Sequence, residues 1–178
     1  MANLVVDIGN TYIKIAVFNH DEMVGMARYE AIDQAIISSV LQKHNISKSI
    51  ISSVNKSSPA WELELKAKTT LLHFNAGIVK NINNQYKTPK TLGADRLAGV
   101  VGARNLFPGK NNLIIDGGTC ITYDWVDAGG NYFGGSISPG LNMRYNALNH
   151  YTAALPLLKA DLDFDKSYGD DTVTSMTS

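Results

Sequence analysis

Cysteine is almost missing from this chain of 178 residues, in which Cys120 is the single example. One cysteine cannot form an internal disulfide, so the sequence predicts a fold without a disulfide framework and a reducing, cytoplasmic location. Histidine is also sparse, and the four histidines at positions 20, 44, 73 and 150 lack the spacing of metal ligands. Disulfide-stabilised secreted domains and histidine-based metal centres are therefore not expected.

Charge imbalance and long hydrophobic runs are missing as well. Lys+Arg and Asp+Glu each number 16, and the resulting net charge of zero argues against a nucleic-acid-binding protein with a broad basic face. The longest apolar runs are far shorter than the roughly 20 residues that a membrane helix needs. Residues 1–18 contain an Asp and a Gly-Asn pair, which is not the pattern of a signal peptide. The sequence predicts a globular protein with neither a nucleic-acid nor a membrane partner.

Strand-like and helix-like segments alternate along the chain in an order that occurs twice. The first series is predicted as strands at Leu4–Val6, Ile13–Phe18 and Glu22–Glu30, a helix at Ala31–His44, a strand at Ser49–Val54, a helix from Ser58-Pro59 to about Thr70, and a strand at Leu71–Phe74. The second series is predicted as a helix at Gly93–Phe107, hairpin strands from Leu113 and at Ile121–Val126, a third strand at Tyr132–Ile137 and a helix at Leu141–Tyr151. Residues 81–91 are polar and predicted as a functional loop or crossover, and residues 159–178 show no obvious final element. This pattern predicts an α/β fold with a duplicated lobe.

Each series contains a buried strand that ends in a turn with an Asp, a Gly and a Thr. The first turn is Asp7-Ile8-Gly9-Asn10-Thr11, with Lys14 beyond it, and the second is Asp116-Gly117-Gly118-Thr119. Backbone N–H groups and hydroxyls in a tight turn can bind phosphate oxygens, and a carboxylate at a strand end can hold a magnesium ion. A simple hairpin turn explains either segment alone. Two copies in matching positions favour a nucleotide held between them.

Two further segments are candidates for chemistry. Gly93-Ala94-Asp95-Arg96 opens a predicted helix, where an acidic residue is stabilised by the helix dipole. The functional interpretation is that the Asp95 carboxylate accepts the proton of an attacking hydroxyl and that Arg96 binds an anionic substrate. The glycines of the Gly134–Gly140 segment indicate close approach of a ligand or of another part of the backbone.

Taken in order, these four segments resemble the motifs of the type III pantothenate kinases. The matching residues are Asp7-x-Gly9-Asn10-Thr11, Gly93 to Arg96, Asp116-x-Gly118-Thr119 and Gly134-Gly135-x-Ile137-x-Pro139-Gly140. That family belongs to the actin-like, or ribonuclease H-like, superfamily of kinases and ATPases. The resemblance implies two similar α/β lobes, residues 1–80 and 81–178, with ATP in the cleft. The implied reaction is phosphorylation of pantothenate to 4'-phosphopantothenate, the first step of coenzyme A biosynthesis.

The resemblance also implies a role for each matching residue. Contacts with ATP are implied for Asp7, Ile8, Gly9, Asn10, Thr11, Tyr12, Ile13, Lys14 and Thr119. Contacts with pantothenate are implied for Tyr86, Gly93, Ala94, Asp95, Arg96 and Thr172. Asp95 is the implied general base, Asp7 an implied Mg²⁺ ligand, and Asp116 the implied ligand of a monovalent cation, K⁺ or NH₄⁺. A homodimer is implied as well.

The sequence departs from the family pattern in two places. Cys120 follows the second turn where the family usually has Ala, and a thiol there is open to oxidation or alkylation. Family chains also continue beyond the region of Thr172 with helices that complete the second lobe. We therefore expect one face of the second sheet to be uncovered in this chain. Three other functions stay open: a kinase for another small hydroxy compound, an ATPase, and a non-catalytic regulatory relative that binds nucleotide.

Overall fold

The computed structural model describes residues 1–53, 60–161 and 163–178, and the N-terminal part of the chain forms a five-stranded sheet. Its strands are β1 (Ala2–Ile8), β2 (Ile13–Asn19), β3 (Glu22–Tyr29), β4 (Ile46–Ser53) and β5 (Thr70–His73). They lie in the order β3-β2-β1-β4-β5, with an antiparallel β1-β2-β3 meander and β4 and β5 parallel to β1. Helix α1 (Gln34–Lys43) connects β3 to β4, and α2 (Ala60–Lys68) connects β4 to β5.

Helix α1 begins three residues later than the sequence predicts. Ala31 and Ile32 precede the helix, because Asp33 caps it: the carboxylate accepts a hydrogen bond of 2.9 Å from the backbone N–H of Ile36. The predicted start of the next helix at Ser58-Pro59 lies outside the described residues, as does Val54 at the end of a predicted strand.

Aliphatic side chains and one tryptophan form the core of the first sheet. Side chains alternate between the two faces of a strand, so Leu4 and Val6 of β1 point into the core together. The buried cluster comprises Leu4, Val6, Ile15, Val17, Ile37, Ile46, Ile51, Trp61 and Leu65. Burial of a large aliphatic side chain contributes roughly 1.5–3 kcal/mol, so this cluster is the main stabilising feature of the sheet. Ser49 is a buried polar exception, and its hydroxyl is hydrogen-bonded to that of Thr69 at 2.6 Å.

A second, four-stranded sheet forms from the later part of the chain. Its strands are β6 (Asn83–Asn84), β7 (Asn112–Gly117), β8 (Cys120–Val126) and β9 (Asn131–Pro139), in the order β6-β9-β8-β7. The β7-β8-β9 meander is antiparallel like β1-β2-β3, and β6 is parallel to β9. The helices are α3 (Ala94–Leu106), α4 (Leu141–Tyr151) and α5 (Thr172–Thr177). The predicted α/β class is confirmed, and both sheets are mixed, whereas the lobe boundary at residues 80 and 81 stays a prediction.

Two stretches that looked irregular in the sequence contain regular structure. The polar segment 81–91 supplies β6 and a 3₁₀ turn, Pro89–Thr91. The expectation of no final element was wrong, because α5 forms near the C-terminus. Its start is a capping box: the Asp171 carboxylate accepts from the backbone N–H of Thr174, and the Thr174 hydroxyl accepts from that of Asp171. Polar capping rather than apolar periodicity marks this helix, and a search for an amphipathic stripe misses it.

The two faces of the second sheet are covered differently. Leu97 and Val100 of α3 pack against Val126 and Tyr132 on one face. On the other face Leu113 and Ile115 are 57% and 60% exposed. This matches the expectation that one face is uncovered. None of the described helices is long and apolar enough to cross a membrane.

Candidate active site

The first predicted phosphate-binding turn lies between β1 and β2. Asp7 is opposite Lys14 in the antiparallel register, and the backbone N–H of Gly9 closes the turn on the carbonyl oxygen of Tyr12 at 3.1 Å. Asn10 and Thr11 are exposed at the tip of the turn, and Ile8 and Ile13 are partly buried at the strand ends that flank it. The turn therefore presents an amide and a hydroxyl to solvent from a rigid strand pair.

The second predicted turn also joins two antiparallel strands, is one residue shorter, and meets the first. It lies between β7 and β8, where the N–H of Gly118 donates to the carbonyl oxygen of Cys120 at 2.8 Å. The hydroxyl oxygens of Thr11 and Thr119 are 2.8 Å apart and share a hydrogen bond, although 108 residues separate them in the sequence. The structure thus brings the two Thr residues that the sequence singled out to one point between the sheets.

Asp95 lies in the first turn of α3, where the sequence predicts it. Its Oδ1 accepts a hydrogen bond of 2.8 Å from the backbone N–H of Arg96, and the carboxylate is exposed. A Cβ added to Gly93 would lie 2.4 Å from that Oδ1, so a side chain at position 93 would displace the carboxylate. Glycine before the helix therefore leaves room for Asp95. Ala94 follows as the first residue of α3.

Three carboxylates interact electrostatically at this place. Partial burial raises the pKa of Asp7, and the charges of Asp95 and Asp116 raise it further. Lys14 and a hydrogen bond with Ser52 oppose that rise in the pKa. Asp7, Asp95 and Asp116 come from β1, α3 and β7, so the charges converge from both sheets. Such a convergence of negative charge favours a bound cation.

Oxygen donors at this place suit a hard cation rather than zinc. Among the residues that the structure describes, no group of three or more His, Cys, Asp or Glu is arranged to hold a metal ion. Magnesium is commonly bound by one or two carboxylates together with substrate phosphates and water. Asp7 fits that mode, and Asp116 supplies an exposed carboxylate for a second cation.

Arg96 lies in a different environment from Asp95, its neighbour in the sequence. The side chain is buried, and its Nε and Nη2 groups donate hydrogen bonds to the carboxylate of Asp124. Tyr132 donates to the same carboxylate at 2.7 Å. The ring of Tyr86 stacks on that of Tyr132 with centroids 6.4 Å apart, and the guanidinium carbon of Arg96 is 5.5 Å from the Tyr86 centroid. Tyr86 and Arg96, two of the six residues predicted to contact pantothenate, therefore belong to one cluster.

Sequence reasoning missed Asp124 and Tyr132. The missed signal is the position of Asp124 in the middle of β8, on the same face as Thr122 and Val126, which the alternation of the strand directs toward α3. A carboxylate is almost never buried without a partner, so an acidic residue at an inward strand position predicts a buried cation. The matching cation, Arg96, was assigned only to a substrate.

Close packing explains the glycine-rich segment of β9. Gly134 has a φ of +87°, and an added Cβ would lie 2.6 Å from Cδ2 of Tyr86. A Cβ on Gly140 would lie 2.2 Å from the carbonyl oxygen of Gly118 in the second turn. Of the two interpretations left open by the sequence, these contacts favour close approach of other parts of the chain.

The remaining predicted residues lie at the margins. Thr172 is exposed at the start of α5, and its contact with substrate stays a prediction. The Cys120 thiol is partly buried and 3.8 Å from the sulfur of Met143. A shallow cavity of about 240 Å³ lies elsewhere, between residues 80–82 and α3, and none of the predicted site residues lines it.

Comparison with known proteins gives a consistent result at the level of sequence. Residues 3–178 match the family model described as type III pantothenate kinase. A protein of that name from Christiangramia forsetii is 44% identical over 178 residues, covering 99% of this chain and 73% of the relative. Another, from Bacteroides fragilis, is 41% identical over 160 residues, covering 89% of this chain and 66% of the relative. The chain thus spans about two thirds to three quarters of the length of the curated relatives it matches.

One solved structure supports the fold. A conserved Baf family protein from Campylobacter jejuni aligns with a TM-score of 0.55 at 17% sequence identity, covering 98% of this chain and 71% of that one. At this identity the likeness shows a shared fold and carries no argument about activity.

Proposed function

The chain belongs to the type III pantothenate kinase family, and on that premise we propose that the protein transfers the γ-phosphoryl group of ATP to the terminal hydroxyl of pantothenate. The observation that carries this proposal is the convergence of Asp7, Asp95 and Asp116 beside the hydrogen-bonded pair Thr11 and Thr119. Phosphoryl transfer depends on positioning and on neutralising charge, and such a site can supply both.

The phosphate side of the site would be formed by the two turns. Backbone N–H groups and side chains of residues 8–14 would contact the phosphates of ATP, and the hydroxyl of Thr119 would reach them from the opposite sheet. Lys14 lies next to Asp7 in the register and would add positive charge. The 2.8 Å contact between Thr11 and Thr119 supports this arrangement, because it brings both turns within reach of one small ligand.

The acceptor side would be formed by the start of α3 and by Tyr86. Asp95 would accept the proton of the pantothenate hydroxyl. The hydroxyl oxygen would form a bond to the γ-phosphorus while the bond from that phosphorus to the oxygen of the β-phosphate breaks, releasing ADP. Gly93, Ala94, Arg96, Tyr86 and Thr172 would hold the acceptor. An exposed Asp95 carboxylate, kept clear by Gly93, supports its role as the base.

Two cations are part of the proposal. Asp7 would hold Mg²⁺ together with ATP phosphates, and Asp116 would hold a monovalent cation, K⁺ or NH₄⁺. Bound there, cations offset the negative charge of the phosphate oxygens. The raised pKa of Asp7, caused by burial and by the two neighbouring carboxylates, supports a bound cation because positive charge would relieve that repulsion.

Assembly and location complete the proposal. We propose a homodimer in the cytoplasm, with residues 1–80 and 81–178 as the two lobes of each subunit. The single cysteine supports a reducing location, and the dimer follows from family membership alone. Analytical ultracentrifugation of the purified chain would measure the assembly directly.

Replacement of the base provides the sharpest test. Asp95→Asn keeps the shape of the side chain and removes its basicity, so turnover should fall by about 10²–10⁴-fold while ATP binding is retained. Pantothenate phosphorylation should be measured with and without K⁺, on this chain and on a version extended to the length of its curated relatives. Asp21→Asn is the matched control, since Asp21 is an exposed acid in the tight turn between β2 and β3.

The outcomes separate the competing functions. Near-parental turnover of Asp95→Asn would show that Asp95 is not the base. Turnover of other small alcohols in preference to pantothenate would indicate a different kinase, and ATP consumption without any acceptor would indicate an ATPase. Binding of ATP without turnover by the extended version would indicate a regulatory relative.

A further inference from the structure

We propose that Asp124, together with Tyr132, is a positioning residue that fixes how Arg96 and Tyr86 face the acceptor substrate. This inference rests on the function proposed above. It extends the acceptor site to two buried side chains that the sequence motifs do not include.

Asp124 is the centre of a fully buried polar cluster. Its side chain is 1% exposed, that of Arg96 is 5% exposed, and Tyr132 is completely buried. Arg96 donates from Nε to both carboxylate oxygens at 3.0 and 3.1 Å, and Tyr132 donates to Oδ1 at 2.7 Å. A bidentate guanidinium–carboxylate pair of this kind is strongly directional. Asp124 therefore determines the plane and the rotation of the guanidinium group.

The pairing also determines which N–H groups of Arg96 stay available. A guanidinium has five donors, and Asp124 occupies the edge formed by Nε and Nη2. Three donors are left, the two of Nη1 and the second of Nη2. Hydrogen bonding to Asp124 is the largest cause of the raised pKa of Arg96, and a bond with Tyr86 also contributes. Arg96 therefore stays charged while one edge is held in place.

The ring of Tyr86 packs against Tyr132 and Gly134, which both belong to β9. It lies nearly parallel to the ring of Tyr132, with an interplanar angle of 10°, and Gly134 leaves the space that the Tyr86 ring occupies. Tyr132 thus stacks directly on Tyr86 and acts on Arg96 through Asp124, to whose carboxylate it donates. Neighbouring strands β8 and β9 supply this support.

The cluster is also connected to the proposed base. Asp95 precedes Arg96 in the chain, and its Oδ1 accepts from the backbone N–H of Arg96. A movement of the Arg96 backbone in the first turn of α3 would therefore move the Asp95 carboxylate as well. An error of about 1 Å in the position of reacting groups can cost about a hundredfold in rate. We therefore expect the cluster to affect the acceptor and not ATP, whose proposed contacts lie on the two turns.

The test compares four variants of the extended version described above, the fourth being Asp124→Glu. Asp124→Asn removes the charge at nearly constant volume, and Tyr132→Phe removes only the hydroxyl. Asp127→Asn is the matched control, because Asp127 is an acid just after β8 whose carboxylate caps the β8–β9 turn through Asn131. KM for pantothenate, KM for ATP and kcat should be measured for each, with the unfolding midpoint recorded alongside.

A positioning role predicts that the KM for pantothenate changes while the KM for ATP does not. We expect KM for pantothenate to rise on the order of tenfold in Asp124→Asn and by roughly threefold in Tyr132→Phe, with KM for ATP within about twofold of the parent. Asp124→Glu, which restores the charge, should recover part of the loss. Asp127→Asn should match the parent in all three constants.

The contrary outcomes are distinct. Unchanged pantothenate constants, or equal changes for both substrates, would overturn the inference and leave a purely structural ion pair. Should Asp124→Asn fail to fold, Tyr132→Phe decides alone by the same criterion. If the parent phosphorylates pantothenate and the variants have the same constants, only this inference is rejected. If the parent does not phosphorylate pantothenate, the proposed function is rejected. A parent that also fails to bind pantothenate in calorimetry rejects both.

Discussion

The two sheets share an antiparallel three-stranded meander, yet their cores are held together by different forces. In the first sheet, aliphatic side chains and Trp61 fill the space between the strands and the two helices. In the second sheet, the corresponding space below α3 contains the Arg96–Asp124 ion pair and Tyr132 beside a smaller apolar cluster. The first sheet carries β4 beside β1, whereas β7 lies at the edge of its sheet.

This difference shows which part of the molecule needs a rigid support and which part needs side chains in a fixed orientation. Apolar packing is strong but non-directional, so the first core can hold the β1–β2 turn rigidly without orienting any particular side chain. A bidentate ion pair contributes less net stability but sets the orientation of its groups. The second core therefore holds polar side chains in a fixed orientation next to the proposed acceptor site, where the chemistry requires it. Three changes would break or sharpen this comparison.

Loss of the buried carboxylate should have the largest effect on stability. Asp124→Ala leaves Arg96 charged and unpaired in the core, which should cost about 3–5 kcal/mol in the free energy of unfolding. Replacing both partners with apolar residues, Arg96→Met with Asp124→Leu, should recover most of this loss. Urea unfolding would measure both. A double variant no more stable than Asp124→Ala would show that the second core, like the first, depends on close packing.

Truncation in the apolar core should have a similar or slightly smaller effect. Leu65 is fully buried on α2, and Leu65→Ala should cost about 2–5 kcal/mol through lost burial and the remaining cavity. Leu63 on the same helix is 70% exposed, so Leu63→Ala is the matched control and should stay within about 0.5 kcal/mol of the parent. Equal losses in both variants would contradict the assignment of the first core.

The smallest effect is expected at the meeting point of the two sheets. Burial and the neighbouring carboxylates raise the pKa of Asp7 above its ordinary value of 3.8, so the folded state keeps a proton that the unfolded chain releases. Stability should therefore fall as the pH rises from about 4 through the folded-state pKa. Asp7→Asn removes this penalty, and the variant should be more stable than the parent at pH 7 but not at pH 3.

Urea unfolding of Asp7→Asn and of the parent at both pH values would measure the difference. Mg²⁺ and ATP should stabilise the parent and have little effect on Asp7→Asn, because the proposed ligand is gone. A variant less stable than the parent at pH 7 would show that attraction to Lys14 exceeds the repulsion and the burial.

Much of this fold was accessible from local patterns. The β-hairpin strands were predicted because apolar residues flank Gly-containing turns, and α4 was predicted with the bounds that the structure has, Leu141–Tyr151. The start of α1 and the whole of α5 were missed, since both depend on a polar capping side chain, Asp33 and Asp171, and not on a repeating apolar stripe. The two-residue strand β6 has too few residues to carry a pattern and forms only by pairing with β9.

The sequence by itself determined the strands other than β6, most helices, the two turns, Asp95 at the start of α3 and the family. These depend on residues that are near one another in the chain. Only the tertiary structure decided that Thr11 meets Thr119 and that Arg96 is paired with Asp124, 28 residues away. It also showed that Tyr86 packs against Tyr132 and Gly134. The physical reason is that such partners meet only when the sheets are packed, and a local pattern carries no information about which distant side chain will neutralise a buried charge.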